Sequence, residues 1–107
     1  MNKRFVVCLG VGTTDAYHDS FRVFLQSSYP NAGWWHRAPD TWLIMDLSGA
    51  GLTAEILRNA VLVSFPGVHC LVLEFRKDGT STWAGFGPNS GLLDWFAWIR
   101  NEWTEKF

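Results

Sequence analysis

The stretch Gly33-Trp34-Trp35-His36-Arg37-Ala38-Pro39-Asp40-Thr41-Trp42-Leu43-Ile44-Met45-Asp46 decides the fold. Two runs rich in aromatic and β-branched residues flank Ala38-Pro39-Asp40, where proline pre-sets the first turn φ and aspartate suits the second position. The stretch reads as a β-hairpin, with strands over Trp34–Arg37 and Thr41–Leu47. Before it, Arg4–Leu9 is a short apolar strand stopped by Gly10-Val11-Gly12. Tyr17, Phe21, Phe24, Leu25 and Ser28 then follow at helical spacing. After the hairpin, Leu52–Ser64 repeats apolar residues at 52, 56, 57, 60, 61 and 64, an amphipathic helix capped by Thr53. Val68–Phe75 is a fourth strand. With right-handed crossovers, the order strand, helix, strand, strand, helix, strand makes a four-stranded antiparallel sheet with both helices on one face, the ferredoxin-like α+β arrangement.

Two pieces extend this core. Asp78-Gly79 is a strong hairpin turn signal, so Thr80–Phe86 returns as a fifth strand. Beyond Gly87-Pro88-Asn89, the residues Leu92, Trp95, Phe96, Ile99 and Trp103 mark a third helix. Residues 1–107 therefore read as a single ferredoxin-like domain with a core at 4–76 and a C-terminal strand-and-helix extension at 80–104.

Composition bounds the function. The chain has 107 residues, and nine Lys plus Arg against ten Asp plus Glu leave a formal charge of −1. That balance gives no electrostatic reason to bind nucleic acid or an anionic membrane tightly. Hydrophobic residues at 48% and charged residues at 18% support a packed core and argue against disorder. No apolar run approaches the roughly 20 residues that span a bilayer, and no secretory leader is legible, so a cytoplasmic protein is expected. Seven Trp in so short a chain is the abnormal feature.

Strand alternation assigns the faces. Phe5, Val7 and Leu9 share one side of the first strand, and Leu71, Leu73 and Phe75 share one side of the fourth. Pairing Arg37 with Trp42 groups Trp34, His36, Leu43 and Met45. Placing these bulkier, charge-free sets under the helices leaves Val6, Cys8, Cys70, Val72, Trp35, Trp42 and Ile44 on the opposite face, rimmed by Arg4, Arg37, Asp46 and Glu74. Such a face is too apolar to stay wet. Either a second subunit or the chain's own last helix covers it, and the homodimer is the expectation.

Few residues group for chemistry. Gly10-Val11-Gly12-Thr13-Thr14-Asp15 resembles the start of a dinucleotide fingerprint, but an acid stands where the third glycine should be, so it reads as a turn and helix cap. His18 falls on an exposed helix position, His36 among core residues and His69 near the surface. No His or Cys spacing suits a metal, and no cofactor is expected. Cys8 and Cys70 fall on adjacent strands and read as buried free thiols. The tryptophans could stack bases, yet only Arg4 and Arg37 lie near, so packing and subunit contact explain them with fewer assumptions.

Gly33-Trp34-Trp35-His36 with Thr41-Trp42-Leu43-Ile44, and later Trp83-Ala84-Gly85-Phe86-Gly87-Pro88 with Asp94-Trp95, resemble the central hairpin and C-terminal segment of the SinR-like proteins. These are similar in fold to the ferredoxin-like subunit of the CRISPR adaptation complex. The resemblance implies a dimer built through sheet faces and C-terminal strands. It also raises the metal-dependent endoribonuclease activity of some distant relatives, whose metal-binding acid closes the first strand. Here that position reads Val7-Cys8-Leu9-Gly10, without an acid.

The leading expectation is a homodimeric domain that acts by binding another protein rather than by catalysis, with an interface of Cys8, Trp35, Arg37, Trp42, Ile44, Cys70, Val72 and Trp98. A second reading is a divergent metal-dependent endoribonuclease or nucleic-acid binder, drawing on Asp15 or Asp46 across a dimer. A third is a small-ligand site in an aromatic cleft containing Trp34 and His36.

Overall fold

Glycine and proline punctuation divides the chain into short apolar runs. Each becomes a strand or helix in the computed structural model, which describes residues 3–46, 49–76, 81–98 and 100–101. β1 (Lys3–Leu9) leads into α1 (Asp15–Ser28), then β2 (Ala32–Trp35) and β3 (Thr41–Asp46). α2 (Ala54–Ser64), β4 (Cys70–Arg76) and β5 (Ser81–Phe86) follow. Both helices begin at a threonine cap: Thr14 Oγ1 accepts from the Tyr17 N–H, and Thr53 Oγ1 from the Ile56 N–H. Such a cap contributes about 1 kcal/mol.

The described strands form one open five-stranded sheet in the order β2-β3-β1-β4-β5, with every neighbouring pair antiparallel. Among the described residues, no helix is long and apolar enough to cross a membrane. α1 and α2 cover one sheet face. Phe5, Val7, Trp42, Ile44 and Val72 from the strands meet Phe21, Leu25, Leu57, Val61 and Phe65 in a single buried core.

Two face assignments are corrected. β1 places Phe5, Val7 and Leu9 inward as expected, but β3 buries Trp42, Ile44 and Asp46, and β4 buries Cys70, Val72 and Glu74. The expected hairpin register paired Arg37 with Trp42; the observed ladder pairs Trp35 with Leu43 and Trp34 with Ile44. A one-residue slip exchanges faces. Trp34 consequently lies on the helix side with Trp42, while Leu43 and Met45 face outward.

The two acids that made the β3 and β4 sets look outward are buried because they hold backbone. Asp46 accepts from the Ala50 and Leu52 N–H groups, both at 3.2 Å, and Glu74 Oε1 accepts from the Ala54 N–H at 3.4 Å. Both acids therefore serve the entry to α2, where a carboxylate also suits the positive end of the helix dipole.

The C-terminal segment differs from the expected helix. Gly91–Leu93 is a 3₁₀ turn, and helical backbone begins only at 97. Asp94 explains the delay: its carboxylate accepts from the Phe96 N–H and pairs with Arg100, while the Trp95 N–H donates to the Pro88 carbonyl. Leu47, the Asp78-Gly79 turn, Thr80, Ile99 and Trp103, which figured in the expected elements, lie outside the described residues.

Candidate functional site

The uncovered face of the sheet is the first candidate. Side chains opposite the core on β1, β3 and β4 are Arg4, Val6 and Cys8; Leu43 and Met45; and Leu71, Leu73 and Phe75. β2 adds Gly33 and Trp35, and β5 adds Trp83 and Gly85. Trp35 and Leu43 are each 44% exposed, and Phe75 is 41% exposed. Of these, Arg4, Val6, Gly33, Trp35, Leu43, Met45 and Phe75 line a shallow apolar dish of about 650 Å³, in which Arg4 is the one charged side chain among the described residues.

Part of this face is already occupied. Phe96, itself 7% exposed, stacks on Trp83 at 5.4 Å, and Trp95 meets His69 edge-on at 4.8 Å. Gly85 permits the approach: a Cβ there would stand 2.7 Å from the Phe96 ring. A hollow of about 360 Å³ remains between Cys8, Leu71, Trp95 and Phe96. The C-terminal segment thus covers the β4–β5 side and leaves the dish over β1, β2 and β3 open.

The expected interface residues separate. Trp35 and Cys8 lie on the open face, Arg37 is exposed beyond the end of β2, and Trp98 is exposed in the C-terminal segment. Trp42, Ile44, Cys70 and Val72 are instead core residues beneath the helices. Leu43, Met45, Leu73 and Phe75 take their places on the open side beside the expected Val6, for the register and acid-burial reasons given above. Cys8 pairs with Leu71 and Leu9 with Cys70, so the two thiols point to opposite faces and both are free. Burial raises both thiol pKa values, Cys70 to about 11.

The acids of the endoribonuclease reading do not converge within one chain. Lys3 pairs with Asp46 at one end of β1, and Asp15 opens α1 beyond the other end. Six residue steps of strand separate those ends, about 20 Å. Among the described residues, no group of three or more His, Cys, Asp or Glu side chains is placed to hold a metal ion.

The third candidate is an aromatic stack between α1 and the β2–β3 turn. Trp42 lies 5.5 Å from Trp34 and 4.2 Å from His36, the latter pair nearly parallel at 5°. Arg22 sits over Trp34 at 5.7 Å. The proposed Trp34–His36 cleft is filled at its centre by Trp42 and by His18, whose ring is 4.4 Å from that of His36. His18 is a correction: it is 6% exposed rather than solvated. Its Nδ1 accepts the Trp42 indole N–H at 3.1 Å, and its Nε2 is buried without a hydrogen-bond partner. The signal was present in the sequence, because His18, Phe21 and Leu25 follow i, i+3, i+7 spacing and form the buried stripe of α1.

A polar groove of about 630 Å³ runs along β5, between the first turn of α2 and the C-terminal segment. Its cations Arg58 and Arg100 are accompanied by Glu55 and Glu74, so among the described residues its charges balance.

The chain matches no family model, no curated protein and no solved structure.

Proposed function

We propose that this chain acts by binding, as a homodimer whose subunits meet through the open faces of their sheets. The observation that carries the reading is the apolar dish formed by Val6, Trp35, Leu43, Met45 and Phe75, with Arg4 its lone charge among the described residues. The three open strands, spaced about 4.8 Å apart and up to about six residues long, outline roughly 300 Å² before side-chain relief is added. Two such faces remove roughly 600 Å² before side-chain relief, the size of a weak, reversible association. A nearly uncharged face favours an apolar partner of similar outline, and the same face on a second copy meets that requirement through an isologous contact. Sheets pack face to face in this way at about 10 Å.

The one-sided helices and the β2-β3-β1-β4 order support a ferredoxin-like core with an added edge strand. Kinship with the SinR-like proteins remains part of the proposal, and it implies the same face-to-face dimer. The separation of Asp15 from Asp46, and the engagement of Asp46 by two backbone N–H groups, favour binding over metal-dependent cleavage.

Sedimentation equilibrium tests the reading. The wild-type chain is expected to sediment at twice the chain mass at micromolar concentration, and Leu43→Lys at the chain mass with an unchanged circular dichroism spectrum. A wild-type monomer at all concentrations overturns it, as does a dimer indifferent to Leu43→Lys.

A further inference from the structure

His18, in the first turn of α1, and His36, just past the end of β2, come together on Trp42. His18 Nδ1 can accept the indole proton only while it carries none, so the neutral ring holds its proton on Nε2. His36 Nε2 lies 3.0 Å from the Pro39 carbonyl, which can only accept, so that nitrogen is the donor. A second proton on His18 would set N–H against N–H at Trp42. It would also place a charge 4.4 Å from the His36 ring, against the edge-on face of Phe65 at 5.0 Å.

Few groups offset that charge. α1 contributes Asp15 and Arg22, of opposite sign, and the turn before β3 contributes Asp40. Asp40 is already engaged, accepting from the Thr13 hydroxyl at 2.8 Å. From the end of α2 the neighbour is the uncharged Phe65.

We propose that His18, His36 and Trp42 form an acid-sensitive latch between α1 and the β2–β3 turn: protonation of His18 breaks its hydrogen bond to Trp42 and loosens the turn at residues 36–40. The latch is independent of the dimer reading, although Trp35 on the open face is the residue next to His36.

Burial, followed by the neighbouring His36, holds His18 below the ordinary imidazole range, against an opposing pull from Asp40 and Asp15. Unfolded chains take up this proton near pH 6.5. Above that pH the latch contributes its full stability. As pH falls below about 6.5, the opened state binds a proton that the closed state resists, and stability is lost until pH passes the lowered folded value.

The test is the protection factor of the Trp42 indole N–H by NMR hydrogen exchange between pH 8 and 5. Protection is expected to fall by up to about tenfold for each pH unit between the two His18 pKa values, while α2 and β4 amides hold theirs. His18→Asn, which keeps an acceptor but cannot titrate, should flatten the profile. His36→Phe, which keeps a ring on Trp42 and removes the neighbouring imidazole that lowers His18, should move the midpoint upward. A flat wild-type profile overturns the latch, as does a pH response that survives His18→Asn. Should His18→Asn fail to fold, an unmoved midpoint in His36→Phe overturns it alone.

Discussion

The two faces of the sheet have similar apolar content and opposite fates. On the covered face, Trp42, Ile44 and Val72 are sealed by helices, and the two acids among them are satisfied by the chain entering α2. On the open face, Trp35, Leu43 and Phe75 stand at about two-fifths exposure, with Arg4 the one charge among the described residues. Apolar content therefore does not distinguish a core face from a docking face. What distinguishes them is where buried polar groups find partners: the acids lie on the helix side because only there does free backbone wait for them.

Substitutions across the two faces can break this comparison. The largest effect is expected at Trp42, which is fully buried and packs against Phe21 at 5.0 Å and His36 at 4.2 Å. Trp42→Ala should cost about 3–5 kcal/mol in urea unfolding; a loss no larger than that of an exposed residue would contradict the face assignment. Next is Asp46→Ala, which strands the Ala50 and Leu52 N–H groups and should cost about 3 kcal/mol. Asp46→Asn, retaining one acceptor oxygen, should lose less; equal losses would mean that the carboxylate is not holding the loop.

Gly85→Ala should cost about 1–3 kcal/mol by pushing Phe96 off the sheet, read as a change in Trp83 fluorescence and faster proteolysis after Pro88. A variant with wild-type stability would show that the C-terminal segment is not seated on β5. The smallest effect is expected from Leu43→Ser, at most about 0.5 kcal/mol in the isolated subunit. A large loss there under monomeric conditions would show that the open face is core.

Much of the architecture was legible because it rests on punctuation and periodicity. Gly10 and Gly12 stop β1, the Thr53 cap opens α2, and β1 alternation groups Phe5, Val7 and Leu9 on the inward side. What failed was register and polarity. The difference between pairing Trp42 with Arg37 and pairing Leu43 with Trp35 is a single residue, and no local signal fixes it. Charge alone points Asp46 and Glu74 to water, yet both are buried, because their partners are backbone groups four to twenty positions away. His18 was misplaced for a related reason: imidazole polarity outweighed its position on the Phe21–Leu25 stripe. Arg4, Val6 and Trp35 line the open dish as the alternation of β1 and β2 predicts, while Leu43, Met45 and Phe75 join it through the register and acid burial that the sequence does not show.

The two buried acids also bear on how the molecule opens. The start of α2 is held by Asp46 from β3 and by Glu74 from β4, and Lys3 Nζ adds a bond to the Leu52 carbonyl. Fraying this helix from its first turn forfeits pairings made with three different strands, whereas the far end of α2 is closed by its own Phe65 N–H to the Val61 carbonyl. Helix ends fray most readily where their bonds are local. The amides of α2 are accordingly expected to exchange from the C-terminal end inward, with the first turn protected longest.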